Sequence, residues 1–127
     1  MRTIVLILFL LPLISFAQTK DYKTYDKAVE YNNEGNIEKA IKYANKALKN
    51  NADWSKPNLL LASIYTNNNQ IELAAGYLLK VYDEKNPDDV LGIEKIAKLY
   101  YVHGYYEEAL YYFEKILNYS NFSDGSN

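Results

Sequence analysis

The stretch LYYVHGYYEEALYYFEKIL, Leu99 to Leu117, places seven aromatic side chains in nineteen residues around one glycine and the chain's only histidine. Its meaning turns on whether the pattern stands alone, and it does not. Tyr31, Gly35, Ile37, Ala40, Ala47 and Leu48 recur as Tyr65, Asn69, Ile71, Ala74, Val81 and Tyr82, then as Tyr100, Gly104, Tyr106, Ala109, Ile116 and Leu117. The offsets are 34 and then 35 residues. A further small residue, Ala28, Ala62 or Ala97, stands three before each tyrosine.

Inside a unit the apolar residues keep helical intervals of three and four: Ala28 and Tyr31 before the glycine, then Ile37, Ala40, Ile41, Ala44, Ala47 and Leu48 after it. Each unit therefore reads as a helical hairpin. Gly35, Asn69 and Gly104 fall where the first helix must stop, and Gly and Asn are the residues that accept the left-handed conformation closing a helix. Ser55 with Pro57, and Asp88 or Asp89 after Pro87, are expected to start the second and third hairpins. Helices approach closely only where side chains are short, so the alanines at 28, 62 and 97 are expected to face those at 40, 74 and 109.

YNNEGNIEKAIKYANKAL (31–48) and YYVHGYYEEALYYFEKIL (100–117) carry the pattern most plainly, and in them the chain resembles the tetratricopeptide repeat, a 34-residue helix-turn-helix unit. It departs from that family at the usual first-helix Trp position, held by Thr24, Asn58 and Ile93, and at the usual closing Pro position, held by Ala52, Asn86 and Asn121. The resemblance implies an all-α, right-handed α-solenoid of three hairpins, with a repeat domain over 21–119 and units of about 21–54, 55–89 and 90–123. It also implies that the first helix of each unit lines a concave partner-binding groove. Its positions would be Tyr22, Tyr25, Val29, Asn32 and Asn33, then Lys56, Leu59, Ser63, Thr66 and Asn67, then Leu91, Glu94, Lys98, Tyr101 and Val102. The Lys and Asn set with which chaperone-binding members clamp a terminal carboxylate is absent, so that function is not carried over.

The length of 127 residues suits one domain, and 49% hydrophobic content predicts a packed core. Residues 1–17 are compositionally separate: Arg2, the apolar run Ile4 to Ile14, then Ser15 and Ala17 at the spacing of a signal-peptidase site. They predict a cleaved leader, a mature chain starting at Gln18, a short segment 18–20 before the repeats, and an exported protein, periplasmic or secreted. The apolar run is shorter than a membrane span needs. Without Arg2 the 14 basic residues become 13 against 16 acidic ones, a net charge of about minus three. That balance argues against nucleic acid and anionic membranes as partners. With no cysteine, stability must come from packing.

For the aromatic stretch, the register assigns Tyr100, Tyr106 and Phe113 to the core, Tyr105, Tyr111 and Tyr112 to the outside, and Tyr101 to the groove side. His103 has no second histidine or cysteine with which to hold a metal and reads as a helix-end residue. Glu107 with Glu108, and Asp88 with Asp89, are adjacent and diverge by about 100° on a helix, so neither forms an acid-base pair converging on a substrate. No catalytic, metal or cofactor-binding residue is assigned, and an enzyme is not expected. The segment 120–127 reads as a polar tail. The expected activity is that of an adaptor or scaffold for a protein or peptide partner, with self-association through the C-terminal hairpin as a further expectation. The alternatives are an N-terminal module of a larger envelope protein and a carbohydrate-binding module using the outward tyrosines.

Overall fold

The computed structural model describes the backbone of residues 2–123 and the side chains of residues 18–121. The side chains of the predicted leader, and residues 124–127 of the predicted tail, lie outside the described residues. Among the described residues the fold is all-helical: α1 (Arg2–Asn33), α2 (Ile37–Ala47), α3 (Ser55–Asn67), α4 (Ile71–Leu79), a 3-10 turn (Pro87–Asp89), α5 (Val90–Val102) and α6 (Tyr106–Ser123). No described helix is long and apolar enough to cross a membrane. The helices form two compact units, one over Met1–Ala52 and one over Asp53–Asn127.

All three hairpin turns close by one mechanism. Gly35, Asn69 and Gly104 have φ of 76°, 58° and 85°, the left-handed region. The next amide donates back to the tyrosine that marks each repeat: Asn36 N–H to Tyr31 at 2.8 Å, Gln70 to Tyr65 at 2.8 Å, Tyr105 to Tyr100 at 3.0 Å. The turn residues themselves donate to Asn32, Thr66 and Tyr101. This pair of bonds is the Schellman closure, which satisfies carbonyls that a helix end leaves open. Asn36 also caps the following helix, its side chain accepting the Lys39 amide at 3.3 Å.

A second repeated device explains much of the aromatic content. Each closing tyrosine meets another from the second helix: Tyr31 with Tyr43 at 5.2 Å between ring centroids, Tyr65 with Tyr77 at 5.5 Å, Tyr100 with Tyr112 at 5.9 Å. The last two pairs are stacked, at 4° and 8°. Tyr112 is therefore buried rather than outward, and burial, with Glu84 as the next cause, pushes its pKa up to about 12. The signal was in the sequence, since Tyr43, Tyr77 and Tyr112 recur at the same 34 and 35 offsets.

In the first unit α1 packs on α2 around Ala28, Ala40, Ala44, Ala47 and Leu48, all buried. In the second unit α3 packs on α4, α4 on α5 and α5 on α6. Its core gathers Ile71, Ala75, Ile93, Ile96, Ala97, Tyr100, Ala109 and Tyr112. The isoleucines among them are 0% exposed, each contributing about 1.5–3 kcal/mol by removal from water. The six alanines expected at the helix contacts are all buried, at 0–3% exposure.

Several expectations need correction. Tyr106 is not core but 65% exposed. Tyr105, one residue earlier, packs against the cluster, its ring 5.9 Å from Tyr100. It follows the left-handed residue, where the Schellman closure brings the side chain back over the helix it terminates. Ser55 does not cap α3: Trp54 holds the cap position without a side-chain bond, and Ser55 is the first helical residue. Asn58 donates its side-chain amide to the Trp54 carbonyl at 2.9 Å. Asp89 holds the N-cap position of α5, as expected, but without a side-chain cap bond, and Asp88 does not cap. Asn86 accepts the Asp88 amide at 3.1 Å, and the Asp89 carboxylate accepts the Asp83 amide at 2.7 Å, tying the linker to the helix start. Helix α6 continues to Ser123, where a polar tail was expected from 120. Just before that extension Tyr119 donates to the Glu84 carbonyl, and Lys115 lies 3.8 Å from the Glu84 carboxylate.

Candidate functional site

None of the fifteen predicted groove residues is buried. On α1 of the first unit, Tyr25, Val29 and Asn33 succeed one another at intervals of four and so share a face. They line a depression together with Asp26, Glu30 and Glu34. The three carboxylates were not predicted, although they follow the same interval of four one residue later. The Tyr25 hydroxyl has its pKa raised, first by partial burial and then by the Asp26 charge. Tyr22 is 46% exposed and lies outside that depression, as does half-buried Asn32, whose carbonyl accepts the Gly35 amide.

The first unit also segregates its charges. Lys39, Lys42, Lys46 and Lys49, spaced three, four and three apart, are all exposed. Lys39 lies over the Tyr31 ring at 5.0 Å, and Lys27 and Lys46 lie over Tyr43 at 5.7 and 5.8 Å. These lysines cover tyrosine faces with their ammonium groups, a use that a net charge conceals.

In the second unit the predicted positions fall on the surfaces of α3 and α5. Lys56, Ser63 and Asn67 are exposed, and Leu59 is 38% exposed. Thr66 is half-buried, its hydroxyl donating back to the Ala62 carbonyl at 2.8 Å, so it is committed to its own helix. On α5, Glu94 and Lys98 form an ion pair at 2.5 Å. Leu91, Tyr101 and Val102 are 71%, 59% and 75% exposed. The rings of Tyr101 and Tyr106 meet edge to face at 5.7 Å, so two exposed aromatics form one ledge at the turn between α5 and α6. That ledge was missed because Tyr106 was assigned to the core.

Two further depressions in the second unit were not foreseen. Glu72, Leu73, Gly76, Tyr77 and Lys80 line one on the outer side of α4, with Lys80 over the Tyr77 ring at 4.6 Å. The other follows the linker before α5 and includes Lys80, Asp83, Glu84, Lys85 and Asp89. The first lies along one face of a single helix, whereas sequence periodicity does not identify the second, because it depends on where the linker runs.

Among the described residues, no group of three His, Cys, Asp or Glu side chains is placed to hold a metal ion. His103 is half-buried at the end of α5, with Nδ1 2.9 Å from the Leu99 carbonyl oxygen, the helix-end contact expected of it. The described surfaces present exposed apolar and amide side chains on helices. No known family model and no curated protein matches the sequence.

Proposed function

We propose that this chain is an exported adaptor: a right-handed solenoid of three tetratricopeptide-like hairpins that holds a peptide or protein partner along the first helices, α1, α3 and α5. The observation that carries the reading is the exposure of Leu59, Leu91, Tyr101 and Val102 on helices whose other faces are packed, at 38–75%. Leaving such side chains in water gains nothing for the fold, whereas a partner that covers them recovers their transfer free energy. The triplicate turn closures support the repeat, and the leader sequence supports export.

The test is capture of partners from envelope extract on the immobilised mature chain, compared across variants. Combining Asn33→Ala, Asn67→Ala and Lys98→Ala is expected to remove the captured species with unchanged helicity, while Lys46→Ala on α2 keeps it. Capture unaffected by the triple change but lost with Lys46→Ala would move the binding surface to the second helices.

A further inference from the structure

The second unit contains the same helix position in two states. On α4, Ile71 and Ala75 are fully buried in a core shared with Ile93, Ile96, Ala97 and Tyr100 of α5. Beside them the Glu72 carboxylate lies near the Tyr105 hydroxyl of the following hairpin and raises the tyrosine's pKa. Thirty-five residues on, the equivalents are Tyr106, Leu110 and Glu107 on α6. Tyr106 is 65% exposed, Leu110 58% and Leu117 61%. Phe113 between them is half-buried against the core.

Tyr106, Leu110, Phe113 and Leu117 follow intervals of four, three and four, a single stripe along α6. One side of that stripe is the core. On the other, two helical turns apart, stand Glu107 and Glu114, both exposed. Lys115 is the one lysine of α6, and it lies against Glu84 and Tyr111. The rim of the stripe is therefore acidic.

We infer that the exposed stripe of α6 is a docking face for an amphipathic helix of a partner protein, whose apolar stripe is flanked by lysine or arginine. The apolar part of that chemistry is what α5 presents to α4. The basic part follows from Glu107 and Glu114, carboxylates that in a desolvated rim need cationic donors. A second copy of this chain fits less well. Pairing α6 with itself brings Glu107 and Glu114 against their own copies. The α1 face that carries Tyr25 and Val29 is flanked by Asp26, Glu30 and Glu34. The lysines of α2 have the right sign, but no large apolar side chain of α2 is exposed to lie on Leu110 and Leu117.

The test uses two synthetic helical peptides with identical leucine and isoleucine stripes, one flanked by lysine and one by glutamate, titrated against the purified chain by fluorescence anisotropy. The lysine-flanked peptide is expected to bind at least about tenfold more tightly at low salt, with the advantage shrinking as salt is raised. Leu110→Asp should abolish binding, and combined Glu107→Lys and Glu114→Lys should reverse the preference. All three positions are exposed, so the melting temperature checks that folding is retained. Equal binding of the two peptides, binding of neither, or a preference that survives the charge reversal overturns the proposal. So does sedimentation showing a dimer that Leu110→Asp converts to monomer, which would make the occupant a second copy. Because α3 and α5 groove residues are untouched, failure here leaves the adaptor reading standing.

Discussion

Ile71 opens α4 and is entirely buried, while Tyr106 opens α6 at the equivalent place in the next repeat and is 65% exposed. Further along, the backbone itself differs: Tyr82 lies beyond the end of α4, its ring so close to Gly92 that a Cβ added there would sit 2.1 Å from it, whereas Leu117 lies within α6 and is 61% exposed. At the two openings the backbone is alike: a left-handed residue, a Schellman closure, then a helix. What differs there is the neighbour, since α4 has a following hairpin on it and α6 has none among the described residues. At these openings repeat position sets the backbone geometry, but burial belongs to whatever packs on top.

Truncating the two openings should expose this difference most sharply. Ile71→Ala empties a fully buried site and is expected to cost about 2–5 kcal/mol, whereas Tyr106→Ala should stay within about 0.5 kcal/mol of the parent in urea titrations. Similar losses at both would mean that α6 is covered in solution. Gly92→Ala should come next, at about 1–3 kcal/mol, because a methyl group must displace the Tyr82 ring and its Cβ together. Combining it with Tyr82→Ala should return part of that loss.

The turns sharpen the comparison from the side where the repeats agree. A Cβ at Gly104 meets nothing within 4 Å, so any cost of substitution there is conformational. Gly104→Val is expected to cost about 1–2 kcal/mol, since a β-branched residue is forced to φ of 85°. Gly104→Asn should cost clearly less, given that Asn69 already holds φ of 58° at the equivalent place. Equal melting-temperature losses for the two variants would contradict that equivalence.

The helical class and the three turns were legible in the sequence because each rests on local chemistry: apolar intervals, and residues that tolerate positive φ. The buried alanines followed from the same register. Tyr106 was misplaced because the periodicity that buries Ile71 is blind to what packs on each unit. Tyr112 was misplaced because its partner, Tyr100, lies on another helix, and only the recurrence at 43, 77 and 112 could have revealed the pairing. The linker was opaque for a related reason. Asp89 reads as a helix cap, but its carboxylate takes the amide of Asp83, six residues away, and only the path of the chain decides between them. Of the candidate site, the accessible first-helix faces were readable, while the acidic rim beside Tyr25 and the Tyr101–Tyr106 ledge were not.

The smallest expected effect concerns a polar side chain where the second and third hairpins meet. Tyr105→Phe keeps the ring against Tyr100 and removes only the hydroxyl, which Glu72 holds in its protonated form, so a small fall in melting temperature is expected at neutral pH. The sign of its pH dependence follows from the raised pKa. The folded chain favours the protonated hydroxyl, so its contribution is complete below the ordinary tyrosine value of about 10 and is lost as pH rises through the folded value. The Phe variant has no such contribution to lose. Stability curves of parent and variant should therefore converge above about pH 10, even though both continue to weaken toward pH 12 as buried Tyr112 ionises. A constant gap between parent and Tyr105→Phe across that range would mean that Glu72 and Tyr105 are not coupled in solution.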